Sequence, residues 1–256
     1  MKLNVLRANP AGNITLFVLD PVLPGDRGAL AARLMAGTDI EQVGFLCPPL
    51  HGNDARMEMA GGEFCGNATR AFGMFTAQRL GKREQVCVEV SGCDRPLTVE
   101  IDWDKHTART QMPLPRSAGR AEADGCPGIL VDLGGIAHFV VEGAAPSQEF
   151  FEKAESLFGN IPDLDAYGVI FLEPGKMTPL VKVPAANSLV WEGSCGSGTL
   201  AAAVAQSLDA PDGPFVRSYI QPAGTVEATV VRQNSEAVAA YIGGPVELDP
   251  VASVEL

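Results

Sequence analysis

The two halves of this 256-residue chain repeat each other in element order, and few folds accommodate such a repeat. In the first half Gly12-Asn13 leads into Ile14 to Leu19, a run of β-formers. Ala29 to Met35 has a helical pattern, and Gln42 to Leu46 reads as a strand closed by Pro48-Pro49. Cys65 then opens a helix to about Leu80, which Gly81 ends as glycine does after a last turn. Val86 to Val90 and Leu97 to Ile101 follow, with Ser91-Gly92 between them as a hairpin signal. The second half runs in the same order. Gly134-Gly135 leads into Ile136 to Val141, Gln148 to Leu157 is helical in pattern, and Tyr167 to Pro174 echoes Gln42 to Pro48. Cys195 opens the helix Thr199 to Leu208, and Val216 to Ile220 and Thr225 to Thr229 close the half. The two cysteines lie 130 positions apart, about half the chain. The repeat predicts an α/β (α+β) protein of two similar lobes related by a pseudo-two-fold axis, with equivalent points facing each other across a cleft. The boundary is expected in Met112 to Pro127, rich in Pro, Gly and Ala. That gives an N-terminal lobe of residues 1–115, completed by a last strand over 247–256, and a C-terminal lobe of residues 116–246.

The blocks Phe64-Cys65-Gly66-Asn67-Ala68-Thr69 and Ser194-Cys195-Gly196-Ser197-Gly198-Thr199 each set a cysteine before small, flexible residues and then an apolar run. This places a thiol at a helix N-terminus, where unpaired N–H groups and the helix dipole favour an anion. A thiol there can have its pKa lowered from about 8.5 to roughly 3.5–7.5. Two such thiols suit one task. One, as thiolate, removes a proton from a carbon; the other, as thiol, returns a proton to the opposite face and inverts the centre without a cofactor. Gly66-Asn67 and Gly196-Ser197 offer N–H groups and short polar side chains to a substrate carboxylate.

The formal net charge of -12 disfavours nucleic acid and anionic membranes as partners. The cysteines and histidines lack metal-site spacing, so no metal is expected. No secretion signal and no run of 18 apolar residues is visible, which points to the cytoplasm, where thiols stay reduced. The segment Cys195 to Gly198 lacks nucleotide-loop spacing, and none of the six lysines sits in a recognisable pyridoxal phosphate signature.

Six stretches carry a family resemblance: Asn9 to Asn13, Glu41 to Phe45, Gly62 to Thr69, Val90 to Cys93, Trp191-Glu192 with Ser194 to Thr199, and Gln221-Pro222. On these the chain is similar to the diaminopimelate epimerase-like superfamily of cofactor-independent, two-cysteine racemases. Within it the chain resembles the histidine racemases of opine-type metallophore biosynthesis. The resemblance implies two lobes, each a mostly antiparallel sheet curled around a central helix. It implies that Cys65 and Cys195 are the base and acid, and that no cofactor is needed. It makes Gly66, Asn67, Gly196 and Ser197 a carboxylate cradle. Asn13, Gln42 and Glu192 would orient the reacting end of an amino-acid substrate, Glu192 holding its α-ammonium. The assembly is compatible with a homodimer.

Departures from the pattern bear on the substrate. Diaminopimelate epimerases hold a distal carboxylate with an Arg after the Glu, where this chain has Gly193, and with Asn residues missing here at Gly135, around Ala166 to Gly168 and near Glu58. Burying that carboxylate without a cation would cost several kcal/mol. Glu41 and Glu58 instead offer negative charge, which suits a neutral or cationic side chain such as imidazole. Histidine is therefore the favoured substrate. A diaminopimelate epimerase or a proline or hydroxyproline racemase-type epimerase is the alternative within the superfamily. Outside it stand a Cys–His hydrolase, should His138 reach either thiol, and a thiol-based ligand-binding or redox module.

Overall fold

The computed structural model describes residues 2–255. The chain divides into two compact units. One runs through Gln111 and resumes at Gly243; the other is Met112–Ile242.

The first unit contains β1 (Lys2–Asn9), β2 (Thr15–Val18), α1 (Pro24–Met35), β3 (Gln42–Cys47), β4 (Ala55–Met59), α2 (Gly66–Arg79), β5 (Gln85–Val90), β6 (Leu97–Asp102) and β7 (Thr107–Gln111). Its neighbours alternate in direction. β1 and β2 are antiparallel, β2 and β3 parallel, β3 and β4 antiparallel, β4 and β5 parallel, β5 and β6 antiparallel. Each parallel pair is bridged by a helix, because a parallel crossover needs a long connection.

The second unit contains β8 (Ser117–Ala123), β9 (Cys126–Asp132), β10 (Ile136–Glu142), α3 (Gln148–Ala154), β11 (Ala166–Glu173), β12 (Lys176–Val183), β13 (Ser188–Trp191), α4 (Gly196–Ser207), β14 (Gly213–Gln221), β15 (Gly224–Gln233) and β16 (Glu236–Pro245), the last running past its boundary. From β9 the same alternation returns. β9 and β10 are antiparallel, β10 and β11 parallel, β11 and β12 antiparallel, β12 and β14 parallel, β14 and β15 antiparallel. The final strands, β17 (Glu247–Leu248) and β18 (Ala252–Glu255), return to the first unit and pair with β1 antiparallel, as β8 pairs with β9. The fold is thus α/β, mostly antiparallel, with few helices.

In each unit the helix opened by a Cys-Gly block is the buried one. Gly66 to Ala77 of α2 are all buried, so this helix has no solvent face and its core surrounds it. It lies on β5, β6 and β7. A Cβ at Gly73 would stand 2.5 Å from the Val99 Cβ, so only glycine lets α2 sit this close to β6. Phe17, Met57, Phe72, Phe75, Val88 and Leu97 fill the space around it. α4 is buried from Gly198 to Val204 and packs on β9, β10, β11, β14 and β15.

Several elements differ from the sequence reading. α1 begins at Pro24, not Ala29, because proline fits the first helical position while the exposed first turn carries no apolar periodicity. The helix read over Gln148 to Leu157 ends at Ala154 and continues as a 3₁₀ turn, Glu155–Phe158. The segment Met112 to Pro127, read as a boundary, carries β8 and the turn into β9. Its small residues pair through the backbone and bury little, so they leave no hydrophobic pattern. β4 is absent from the sequence reading although Arg56 and Glu58 alternate with Ala55, Met57 and Met59, because the run is only five residues long and holds no β-branched or aromatic residue. Among the described residues no helix is long and apolar enough to cross a membrane.

Candidate active site

Cys65 is the N-cap of α2, in extended conformation (φ -130, ψ 111), and its Sγ accepts the Ala68 N–H at 3.4 Å. Cysteine here plays the part usually taken by Ser, Thr or Asp. The strands beside it supply amide side chains. Gln42 Nε2, on β3, lies 3.3 Å from Sγ, 2.9 Å from Asn13 Oδ1 and 2.7 Å from Thr15 Oγ1. Asn13 Oδ1 lies 3.7 Å from the same sulfur, and Asn13 Nδ2 donates to Glu41 Oε2 at 2.8 Å. The fold thereby gathers Asn13, Glu41, Gln42, Cys65, Gly66 and Asn67 into one cluster.

The approach to Cys65 is braced by the Ser91-Gly92 turn. Ser91 Oγ donates to the Glu63 carbonyl at 2.8 Å and accepts the Met59 N–H at 2.9 Å. Gly92 has φ +68, and a Cβ there would meet the Phe64 nitrogen at 2.3 Å. The Val90 to Cys93 block is thus scaffolding for the loop that carries Cys65, and Cys93 packs against the α2 core.

Cys195 repeats the arrangement in the second unit. It is the N-cap of α4 (φ -115, ψ 109), and its Sγ accepts the Gly198 N–H at 3.3 Å. In both units a threonine four residues on donates to the cysteine carbonyl, Thr69 at 2.8 Å and Thr199 at 2.6 Å. Gln221 fixes the second loop further: its Oε1 accepts the Cys195 N–H at 2.7 Å and its Nε2 donates to Thr199 Oγ1 at 2.8 Å. Glu192 follows the end of β13, where its N–H donates to the Pro179 carbonyl at 3.0 Å.

A histidine stands behind Cys195. Ser197 Oγ lies 3.5 Å from Cys195 Sγ and 2.9 Å from His138 Nε2. His138 on β10 is fully buried, and burial pushes its pKa down to about 3, so the ring is neutral. Its Nδ1 has no partner among the described residues. A bare lone pair is cheaper to bury than an N–H, so the proton belongs on Nε2, pointing at Ser197. The serine hydroxyl is then free to donate to sulfur. The direct Cys–His hydrogen bond that a hydrolase reading requires is not what stands at Cys195: Ser197 lies between the ring and the sulfur.

Both thiols are pushed above the ordinary cysteine range, which overturns the expectation of lowered values at a helix start. Burial is the largest cause in each case and outweighs the helix-start N–H groups. The opposing groups differ. At Cys65 the Ala68 and Asn67 N–H groups and Gln42 favour the thiolate, and Glu63 opposes it. At Cys195 the Glu192 carboxylate adds to the rise by charge and by hydrogen bond, while Ser197 and Gly198 oppose it.

Glu192, Cys195, Gly196 and Ser197 thus form a second cluster around the second thiol. Glu58 does not serve a site: Arg27 and Arg56 both pair with it, so its charge is committed. His51 donates its N–H to Glu89 and lines a cavity of about 200 Å³ beside the Ser91 to Pro96 turn, whose lining holds none of the residues of the Cys65 cluster. Among the described residues no group of His, Cys, Asp and Glu side chains is placed to hold a metal ion. The sequence reading does not place Gln221 on the Cys195 loop or His138 behind Ser197; the threonine four residues after each cysteine is a signal in the sequence that marks the two equivalent turns.

The twice-repeated, mostly antiparallel α/β fold is shared with solved structures. A PhzF-family phenazine biosynthesis protein from Bacillus anthracis matches over 100% of both chains with TM-score 0.75 at 14% identity. A hydroxyproline epimerase from Agrobacterium vitis matches over 100% of this chain and 93% of its own, with TM-score 0.62 at 16% identity. Sequence comparison is sharper. The histidine racemase CntK N-terminal domain family matches residues 2–253. A histidine racemase of Fusobacterium nucleatum is 32% identical, covering 96% of this chain and 94% of the relative. One from Staphylococcus aureus is 28% identical, covering 88% and 87%. The chain belongs to the histidine racemase CntK family.

Proposed function

We propose that this chain interconverts L- and D-histidine without a cofactor, with Cys65 and Cys195 exchanging the α-proton. One sulfur, as thiolate, takes the proton from Cα and becomes a thiol. The other, as thiol, gives its proton to the opposite face and becomes a thiolate. Atoms and charge balance, nothing is oxidised, and the roles reverse in the other direction. The observation that carries the reading is that each cysteine caps a buried helix with its sulfur on a backbone N–H. Family membership and two relatives named histidine racemase support the substrate.

The remaining residues take these roles in the proposal. Gly66-Asn67 and Gly196-Ser197 bind the carboxylate and offset charge building on it as Cα loses its proton. Glu192 receives the α-ammonium. Asn13, Gln42 and Glu41, already linked to one another, orient the reacting end and face the imidazole. The proposal also places the enzyme in the cytoplasm, where its six free cysteines stay reduced, and takes a homodimer as its assembly.

The test is α-deuterium uptake in deuterated water by L-histidine, L-proline, trans-4-hydroxy-L-proline and LL-diaminopimelate, with no pyridoxal phosphate, nucleotide or metal added. Histidine should exchange fastest and reach an equilibrium constant of one. Preference for a proline would keep the thiol chemistry and move the substrate; preference for diaminopimelate would contradict the pocket argument.

A further inference from the structure

We propose that Arg70 is a positioning residue for Cys65: from under the first turn of α2 it holds Asn67 and the Pro10 turn in place and supplies the buried positive charge that an anionic sulfur pairs with. The proposal rests on the reading of Cys65 as a proton-transferring group.

Arg70 lies within α2 and is 0% exposed. Its side chain runs back toward the helix N-terminus, as long helical side chains do. Nε and Nη2 donate to Asn67 Oδ1 at 3.3 and 3.2 Å, Nη2 to the Pro10 carbonyl at 2.9 Å, and Nη1 to the Pro245 carbonyl at 3.0 Å. Three chain segments thus meet on one guanidinium beside the Cys65 turn. Every acceptor is neutral, and among the described residues no carboxylate pairs with it.

A buried guanidinium without an acid is costly, and the N-terminal end of a helix makes it more so, since that end is itself positive. Both penalties fall when an anion forms there. The Cys65 sulfur is the ionisable group at that end, and its charge and that of Arg70 favour each other. The rest of the surroundings do not replace it. Glu63 opposes the thiolate, and Glu41 is held by Asn13. On the strands that pack against α2, Glu100 and Arg109 pair with each other, Asp102 with Lys105, Glu89 with the Leu50, His51 and Asn53 N–H groups, and Glu247 with Asn9, while Cys87 sits by Asp54. Five residues after Cys195 the second unit has Leu200, also fully buried. The sibling helix therefore carries no cation at this place.

The experiment is the pH dependence of iodoacetamide alkylation, followed at each cysteine by peptide mass spectrometry, in the wild type, Arg70→Leu and Arg70→Lys. It does not depend on turnover, so it can fail while the two-thiol reading stands, and the reverse. In the wild type Cys65 should ionise at lower pH than Cys195. Arg70→Leu should move the Cys65 midpoint up by about one pH unit or more, the scale of one nearby charge, and leave Cys195 in place. Arg70→Lys keeps the charge and should restore most of that shift. An unmoved Cys65 midpoint in folded Arg70→Leu overturns the proposal, as does an Arg70→Lys midpoint equal to that of Arg70→Leu. Should the leucine variant not fold by circular dichroism, the wild type decides: Cys65 ionising no earlier than Cys195 overturns it.

Discussion

The two helix-start thiols share a backbone and differ in company. Both cap a buried helix, both accept the N–H three residues on, and both have a threonine tied to their carbonyl. Cys65 has amide donors at its sulfur and is partly exposed; Cys195 has a carboxylate beside it and is 4% exposed. A duplicated scaffold can thus keep two sulfurs in equivalent places while the side chains around them set different proton affinities.

The strongest way to break the comparison is to remove one thiol at a time. Cys65→Ala and Cys195→Ala should each lose about 10²–10⁴-fold in racemisation, in both directions, the usual worth of a general acid or base. If one variant keeps near-normal turnover, the thiols are not partners.

Glu192→Gln sharpens the difference between them. Without the carboxylate the Cys195 thiol should ionise at lower pH, visible as an earlier alkylation midpoint, with Cys65 unchanged. Losing a charge-assisted contact to the α-ammonium should also raise KM by about 10- to 100-fold, since such contacts contribute about 1.5–3 kcal/mol. A Cys195 midpoint that stays put would show that burial alone holds the thiol.

His138 offers a smaller, pH-dependent test confined to the second unit. Unfolded, its imidazole takes a proton below about pH 6.5; folded, it stays neutral down to about pH 3. The unfolded state therefore binds more protons in that window, and stability should be lost as pH falls through it, at about 1.4 kcal/mol per pH unit from this residue. His138→Gln keeps a donor for Ser197 and removes the titration. Urea unfolding at pH 4 and 6.5 should show a smaller acid loss in the variant; an equal loss would mean that other groups carry it.

Much of this was legible in the chain because the repeat preserved both element order and the Cys-Gly blocks. The helices that carry Cys65 and Cys195 fall where glycine, small residues and apolar runs placed them. What escaped was set by tertiary context. Arg70 reads as an ordinary charged residue in a helix until burial and two proline carbonyls, one of them 175 residues away, define it. His138 lies 59 residues from the serine it supports. Glu58, an inviting free charge in sequence, is claimed by Arg27 and Arg56. The helix starts do not lower the two thiol pKa values, because the desolvation of each sulfur, which no local sequence pattern displays, outweighs the N–H donors.

The most direct test of a two-thiol proton exchange is where deuterium enters during the first few per cent of turnover. L-histidine is incubated with the enzyme in deuterated water, then D-histidine, and both enantiomers are isolated and weighed by mass spectrometry. Two proton carriers of opposite face predict that the product enantiomer carries α-deuterium while the unreacted substrate keeps its α-proton, in both directions. Deuterium appearing equally in recovered substrate and product, or α-protium carried over into product, would mean that one group serves both faces, and would contradict the account.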